Sequence, residues 1–248
     1  MKIIVTENYS GLSRSAADII EKLIKEKNDA VLGLATGGTP VGTYEELIKR
    51  YEEKQIDFSK VKTINLDEYI GLDGHNTQSY RYFMNDKLFN HININKANTF
   101  LPNGTSENIE EECASYDRKI DELGGIDLQI LGVGTNGHIA FNEPAEALNF
   151  STHVTSLTEA TIKANARFFE SMDDVPKTAI TMGVGKIMQA KKIILLASGK
   201  NKADAIKGML SGKITTNNPA TMLQLHSDVT LIIDKEINEE LQLLVSTD

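Results

Sequence analysis

The sequence predicts an α/β protein, a single domain with a mostly parallel sheet and helices on both faces. Two observations support this prediction: short β-branched runs alternate with segments of helical period, and several of these runs are apolar at nearly every position. Strands covered on both faces need such continuous apolar runs. Strand and helix repeated in this order give parallel strands joined by helical crossovers. No internal repeat or Pro/Gly/Ser-rich linker divides the 248 residues.

The predicted strands are short runs bounded by turn residues. They are Lys2–Thr6, Ala30–Ala35, Val61–Leu66, Ile126–Val133, Thr178–Met182, Lys192–Ala197 and Val229–Ile233. The helices predicted between them are Leu12–Lys27, Val41–Lys54, Ser79–Leu88, Glu107–Leu123 and Lys202–Leu210. A further helical pattern, Leu157–Met172, follows the irregular segment Asn142–Thr155. Because this segment interrupts the alternation after a glycine-rich loop, we expect either a mobile lid around residues 145–175 or an ordinary surface excursion.

Composition excludes several classes of protein. The chain has 35 acidic and 26 basic residues, a formal charge of −9, which argues against nucleic acid as the main partner. The single cysteine, Cys113, allows no intramolecular disulfide. No signal-peptide pattern or apolar run of about 20 residues is present, so we expect a soluble cytoplasmic protein with no membrane partner.

A glycine turn follows the predicted strand Ala30–Ala35. Thr36, Gly37, Gly38 and Thr39 lead into a predicted helix, so backbone N–H groups, two hydroxyls and a helix N-terminus can converge there. This composition suits a phosphate monoester, and it lacks the Gly-x-x-x-x-Gly-Lys-Ser/Thr pattern of a nucleotide P-loop. A plain strand-to-helix turn explains the same residues.

Asp67 and Glu68 follow the predicted strand Val61–Leu66 directly. Partial burial at the end of a strand raises the pKa of a carboxyl group and suits it to accept a proton. A helix cap or a surface acid pair is the structural alternative.

The strand Ile126–Val133 runs into a loop in which Gly132, Gly134 and Gly137 match Gly-x-Gly-x-x-Gly. A dinucleotide-binding site needs a long helix next, but Pro144 stops any helix within two turns. The dinucleotide interpretation is therefore rejected.

The same loop presents Asn136, His138 and Glu143 together. An imidazole beside a carboxylate forms an acid–base pair in which the carboxylate sets the tautomer. His138 is otherwise a structural histidine or a metal ligand with Glu143 and His153. No metal-ligand spacing accompanies this second alternative, so we predict no metal.

Two cationic segments supply candidate phosphate ligands. Lys202 lies in a glycine turn after the strand Lys192–Ala197, and Arg167 is flanked by apolar residues. Arginine binds phosphate through a planar fork and lysine as a point charge. Most such residues are merely solvated.

Taken together, these stretches resemble the glucosamine-6-phosphate deaminase (isomerase) family. The similar motifs are TGGTP at 36–40, LDEYIGL at 66–72, GVGTNGHIAFNEP at 132–144, NARFF at 165–169 and GKNKA at 199–203. They are ordered and spread over nearly the whole chain.

The resemblance implies a modified Rossmann-type sheet and an enzyme of amino-sugar catabolism that needs no metal or other cofactor. Its substrates are glucosamine 6-phosphate and water, and its products are fructose 6-phosphate and ammonia. By resemblance, Asp67 moves a proton between C2 and C1 through an enolamine. His138 opens the pyranose ring and is oriented by Glu143 and residue 136.

The resemblance also assigns the phosphate site. The turn Gly37–Thr39 would bind the phosphate together with Arg167 and Lys202, and the segment after Glu143 would carry the lid.

One position departs from the pattern of the best-known members, because Asn136 stands where they carry Asp. An amide cannot share a proton, so Asn136 is expected to orient His138 or the ring oxygen by hydrogen bonds. Like other short members, the chain is expected to be a monomer or a small homo-oligomer.

Two alternative functions remain to be compared with this one. A 6-phosphogluconolactonase shares the glycine loop but typically continues from its histidine toward Ser-Leu-Phe-Pro, unlike Phe141–Pro144 here. A sugar-phosphate-sensing regulator would bind without turnover. The acid–base residues Asp67, His138 and Glu143 favour an active enzyme.

Overall fold

Helices cover both faces of a central sheet in the computed structural model, which describes residues 1–158, 162 and 175–241. The strands are β1 (Lys2–Thr6), β2 (Val31–Leu34), β3 (Lys62–Asn65), β4 (Asp67–Tyr69), β5 (Thr99–Phe100), β6 (Leu128–Gly132), β7 (His153–Ser156), β8 (Thr178–Thr181), β9 (Ile193–Ala197) and β10 (Val229–Asp234). The α-helices are α1 (Tyr9–Glu26), α2 (Val41–Glu52), α3 (Tyr80–Met84), α4 (Ile109–Glu122), α5 (Val184–Met188), α6 (Ala203–Met209) and α7 (Lys235–Leu241).

The remaining helical segments are short. A π-helix covers Asn85–Phe89, and 3₁₀ turns cover Lys96–Asn98, Lys200–Lys202 and Pro219–Leu225. The predicted helix Ser79–Leu88 is thus an α-helical turn that passes into a π-helix. Among the described helices, none is long and apolar enough to cross a bilayer.

The central sheet has seven strands in the order β1-β10-β9-β6-β2-β3-β5, and all its pairs are parallel. The predicted α/β class is confirmed. The chain leaves β2 toward β3 and β5, then returns on the other side of β2 with β6. Ligands of open α/β sheets bind outside the carboxyl ends of the strands at such a change of direction. The turns after β3, β2, β6 and β9 therefore lie along one edge.

Two apolar cores fill the space between the sheet and its helices. In one core, Leu12, Ala16 and Ile20 of α1 pack with Tyr44 and Leu47 of α2, and all of these side chains are buried. Asn8 caps α1 by accepting a hydrogen bond from the N–H of Gly11 at 3.0 Å. The other core lies under α4 to α7. The apolar stripes predicted for these helices thus face the sheet.

A second sheet corrects the prediction for Thr178–Met182. That strand, β8, was expected in the parallel sheet, but it pairs antiparallel with β4 and β7 in a separate three-stranded sheet. The chain bends out of the central sheet after Leu66, whose N–H still donates to Leu34 O at 3.2 Å. A buried strand shows the same apolar pattern in either sheet, so its sequence did not reveal its partners. The second sheet begins at Asp67, opposite Thr181.

Candidate active site

Asp67 is a buried carboxylate at the start of β4, with 6% of its surface exposed. Within the described part of the chain, no hydrogen-bond donor reaches its side chain. Burial raises the pKa of Asp67 to about 8, and the neighbouring charge of Glu68 adds to the effect. A carboxylate with such a pKa accepts a proton readily near neutral pH.

Glu68 faces backbone donors. Its Oε1 accepts from the N–H groups of Tyr69 and Tyr80 at 2.9 Å each, and its Oε2 accepts from the N–H of Arg81 at 2.9 Å. Burial raises the pKa of Glu68, although these three hydrogen bonds oppose the rise. The side chain therefore fixes the start of α3 to the strand of Asp67.

The structure brings His138, Glu143 and Asn136 together. His138 Nδ1 lies 3.3 Å from Glu143 Oε1, an ion-pair distance at which the two atoms lack hydrogen-bond alignment. Asn136 Nδ2 donates to Glu143 Oε2 at 2.6 Å, and Asn136 Oδ1 accepts from the backbone N–H of His138 at 3.2 Å. Asn136 was expected to orient His138 or the ring oxygen of the sugar by hydrogen bonds, and its side chain contacts both Glu143 and the His138 backbone.

Glycines make room for the imidazole. The Gly134 N–H donates to His138 O at 2.8 Å, and a Cβ atom at Gly134 would lie 2.3 Å from His138 Cε1. Gly137 has φ +87°, a conformation that favours glycine. Ala140 also has a positive φ of 51°, which costs a residue with a side chain about 1 kcal/mol. No helix follows in residues 138–158, as the rejection of a dinucleotide site predicted.

The loop of His138 is anchored to the second sheet. The Phe141 N–H donates to Thr181 Oγ1 at 3.1 Å, and Thr181 is the residue paired with Asp67. Asn142 Nδ2 donates to Ile139 O at 3.0 Å and to Met182 O at 2.9 Å. The second sheet thus fixes the loop of His138 relative to Asp67.

The glycine turn after β2 is open on one side. A Cβ atom at Gly37 or Gly38 would meet no atom within 4 Å, so a ligand can approach the backbone. Tyr9 supports the turn from behind: its hydroxyl contacts Gly38 O at 3.0 Å and Thr39 O at 3.1 Å, and accepts from the Gly42 N–H at 2.8 Å. Thr36 is half-buried at the start of this turn.

Lys202 lies in the turn after β9, which Asp234 stabilises. Asp234 Oδ2 accepts from Ser198 Oγ at 2.6 Å and from the Gly199 N–H at 2.8 Å. The Lys202 N–H donates back to Gly199 O at 3.0 Å. The neighbouring Lys200 forms an ion pair with Glu240 at 3.4 Å, so its charge is already partnered.

Parts of two predictions lie outside the described residues. These are Arg167 and most of the helix Leu157–Met172, together with the corresponding part of the lid at 145–175. His153, the third residue of the metal alternative, contacts Ser151 O at 3.0 Å through Nδ1. Across the described residues, no group of three or more His, Cys, Asp and Glu side chains is arranged to hold a metal ion.

An aromatic group beside Asp67 was missed by the sequence analysis. Tyr69 and Phe141 are buried, and the half-buried Tyr80 lies against both of them. An aromatic residue at a helix start looks like any core residue in the sequence. The only signal was the proximity of Tyr69 to Asp67 and of Phe141 to Glu143.

The chain is thus an α/β protein in which acid–base residues lie at the carboxyl edge of a parallel sheet, beside an open glycine turn. The family model described as glucosamine-6-phosphate isomerases/6-phosphogluconolactonase matches residues 6–232. The chain belongs to this family, and the family resemblance seen in the sequence is confirmed.

Relatives agree with this assignment over their full length. A Clostridium perfringens protein named glucosamine-6-phosphate deaminase is 63% identical over 236 residues, which are 95% of this chain and 98% of the relative. A Clostridium beijerinckii protein of the same name is 60% identical over 237 residues, covering 96% and 98% of the two chains.

Solved structures share the fold. A monomeric glucosamine-6-phosphate deaminase superposes with a TM-score of 0.94 at 48% identity, covering 97% of this chain and all of that one. A 6-phosphogluconolactonase from Trypanosoma brucei superposes with a TM-score of 0.77 at 20% identity, covering 97% and 98%. At that identity, the second likeness shows the fold alone.

Proposed function

We propose that this chain converts glucosamine 6-phosphate and water into fructose 6-phosphate and ammonia, in amino-sugar catabolism. The observation that carries the proposal is the buried Asp67, whose pKa is raised to about 8, on the edge that also presents His138 and Glu143. Relatives at 60–63% identity named for this activity support it.

Asp67 serves as the base for the carbon-bound proton. It removes the proton from C2 of the open aldose, which gives an enolamine, and returns a proton to C1. The resulting C2 imine adds water and releases ammonia, so the sugar leaves as the 2-ketose. A buried carboxyl group with few competing donors suits both directions of the proton transfer.

His138 serves the earlier ring-opening step. Opening requires removal of a proton from the C1 hydroxyl and delivery of a proton to the ring oxygen. Because Nδ1 faces Glu143, the other ring nitrogen, Nε2, is the one available to the sugar. Asn136 holds the Glu143 carboxylate at 2.6 Å and so fixes the imidazole orientation indirectly.

The phosphate group is assigned to the open glycine turn. Thr36, Gly37, Gly38 and Thr39 supply backbone N–H groups and hydroxyls, and the charge of Lys202 offsets part of the charge of the dianion. Arg167 remains part of this proposal on the strength of its motif alone. The net charge of −9 slightly opposes the approach of an anion, so affinity depends on this local geometry.

The remaining assignments follow from the same comparison. We propose that the chain acts as a monomer, since the similar solved deaminase is monomeric. We also propose a cytoplasmic location, where a phosphorylated sugar would be available as substrate, and the segment after Glu143 remains a candidate lid.

The test is coupled detection of ammonia and fructose 6-phosphate from purified protein supplied with glucosamine 6-phosphate. We expect both products in equal amounts, and Asp67→Asn should abolish ammonia release while substrate binding is retained. No product, with or without N-acetylglucosamine 6-phosphate, would overturn the proposal. Near-normal turnover by Asp67→Asn would remove the proton-transfer role.

The lactonase alternative is tested in parallel with 6-phosphogluconolactone. Lactone hydrolysis needs an activated water but no base for a carbon-bound proton. We therefore expect no enzymatic hydrolysis above the spontaneous rate. Hydrolysis that survives Asp67→Asn would instead favour the lactonase.

A further inference from the structure

One aromatic ring lies between the two halves of the acid–base site. The Tyr80 ring centroid is 4.7 Å from that of Tyr69 at an interplanar angle of 46°, and 6.1 Å from that of Phe141 at 15°. Tyr69 follows Asp67 on β4 by two residues, and Phe141 precedes Glu143 by two. Tyr80 therefore contacts both the strand of the proposed base and the loop of the proposed ring-opening pair.

The backbone of Tyr80 is fixed at the same place. The Tyr80 N–H donates to Glu68 Oε1, and the following N–H of Arg81 donates to Glu68 Oε2, both at 2.9 Å. Arg81 is in turn fixed by two hydrogen bonds from its guanidinium to Thr99, at 2.7 and 2.9 Å. Because Glu68 adjoins Asp67, the Tyr80 ring cannot move far without the strand of Asp67.

The Tyr80 hydroxyl stays protonated in this environment. It donates to the Tyr69 hydroxyl at 3.3 Å. Burial raises the pKa of Tyr80 well above its ordinary value, and the charges of Tyr69 and Asp67 add to the rise. Thr36, at the glycine turn, interacts with this hydroxyl. Near neutral pH the hydroxyl is therefore a neutral donor.

We propose that Tyr80 is a positioning residue whose ring sets the distance between Asp67 and the His138–Glu143 loop. This inference rests on the proposed function, because only a reaction that uses both groups on one sugar needs that distance fixed. Misplacing a catalytic group by about 1 Å costs on the order of 100-fold in rate. An aromatic stack that bridges the two segments supplies the required rigidity.

The test compares Tyr80→Phe with Tyr80→Leu, and uses Tyr82→Phe and Tyr82→Leu as matched controls. Tyr82 lies on the same helix but is 38% exposed. We expect Tyr80→Phe, which keeps the ring, to lower kcat by only about threefold. Tyr80→Leu should lower kcat by about 30-fold or more. Competitive inhibition by inorganic phosphate should change by the same small factor, less than about threefold, in Tyr80→Phe and Tyr80→Leu, since both lose the hydroxyl that interacts with Thr36 and neither alters the backbone of the glycine turn.

A double-mutant cycle locates the effect in the stack. Phe141→Leu removes the other ring, so the kcat of Tyr80→Leu/Phe141→Leu should be no lower than that of the worse single variant. Multiplicative losses would contradict a shared role. Thermal melts of all variants report folding, and Tyr80→Met replaces Tyr80→Leu if the latter is unfolded.

Two outcomes overturn the inference. A folded Tyr80→Leu with wild-type kcat does so, and so does a Tyr80→Phe that loses as much kcat as Tyr80→Leu. If the wild-type protein releases no ammonia, the proposed function fails, and this inference fails with it. If the wild type is active and Tyr80→Leu has the same kcat, this inference fails but the proposed function stands.

Discussion

Asn136 Nδ2 donates a hydrogen bond to Glu143 Oε2 at 2.6 Å, and the other oxygen of Glu143 lies 3.3 Å from His138 Nδ1. The carboxylate is therefore held from one side by a neutral amide and faces the imidazole on the other. Because an amide carries no charge, Glu143 is the acidic member of this trio. The arrangement places one carboxylate beside the His138 ring.

Glu143→Gln should lower kcat by about 10-fold to 100-fold. The amide keeps the size of the side chain but removes the negative charge that lies 3.3 Å from His138 Nδ1. The measurement is the initial rate of ammonia release. Glu146→Gln, an exposed position in the same loop, is the matched control and should keep a near-normal rate. An undiminished rate in Glu143→Gln would show that the charge of Glu143 does not assist His138.

Gly134→Ala should strongly lower the rate of ammonia release without unfolding the protein. Its Cβ atom would lie 2.3 Å from Cε1 and 2.4 Å from Nδ1 of His138, so the imidazole must move out of place. Gly132→Ala is the control, because a Cβ atom there would meet nothing within 4 Å. We expect a loss of about 100-fold in kcat for Gly134→Ala and a near-normal value for Gly132→Ala. Equal activities would show that the position of the His138 ring is not critical.

The turns of the site were predictable because each follows an apolar run. In an open parallel sheet, Thr36, Asp67, His138 and Lys202 must lie along one edge once their strands are recognised. The sequence did not reveal whether a given strand pairs with its neighbours in parallel or antiparallel. Thr178–Thr181 is buried at three of its four positions, much as a central strand is, yet it pairs antiparallel with β4.

Side-chain partners were harder to predict than positions. Asn136 was expected to orient His138 or the sugar ring oxygen, and nothing in the sequence indicated that its amide would also donate to Glu143. Tyr80 was missed because its role depends on how α3 is joined to β4, and the long-range hydrogen bonds of Glu68 make that connection. Contacts of this kind depend on tertiary structure rather than on local pattern.

Asp67→Asn should stabilise the protein at alkaline pH. The pKa of Asp67 is about 8 in the folded chain, against about 3.9 for an unperturbed Asp. Between these two pH values the unfolded chain has lost the proton that the folded chain retains, so the free energy of unfolding of the wild type falls as pH rises. The free energy of unfolding of the variant does not fall with pH in this way, because asparagine does not titrate. Urea unfolding should show a gain of about 2 kcal/mol or more at about pH 8 and almost none at about pH 4. A gain that is independent of pH would contradict the raised pKa.

Asp127→Asn should destabilise the fold, most strongly at neutral pH. Asp127 is buried at the opposite end of the sheet, where its carboxylate accepts from Lys27 Nζ at 2.6 Å, Lys191 Nζ at 2.7 Å and the Val31 N–H at 2.8 Å. Burial raises the pKa of Asp127, but these partners outweigh it and hold the pKa below its ordinary value. A lowered carboxyl pKa stabilises the folded state above the unfolded pKa of about 3.9, and this contribution is lost as pH falls through the folded pKa.

Urea unfolding of Asp127→Asn checks this account. We expect a loss of about 2 kcal/mol at about pH 7, because the variant leaves two lysines and a buried N–H with a weaker partner. The loss should shrink as pH falls below about 3.9, the unfolded pKa, and on through the lowered pKa of the folded chain. Asp121→Asn is the control, since the Asp121 side chain is 64% exposed in its ion pair with Lys186 and should contribute much less. Because Asp127 lies far from the carboxyl edge, the kcat of the folded variant should equal that of the wild type, and a lower kcat would show that this cluster also influences the site.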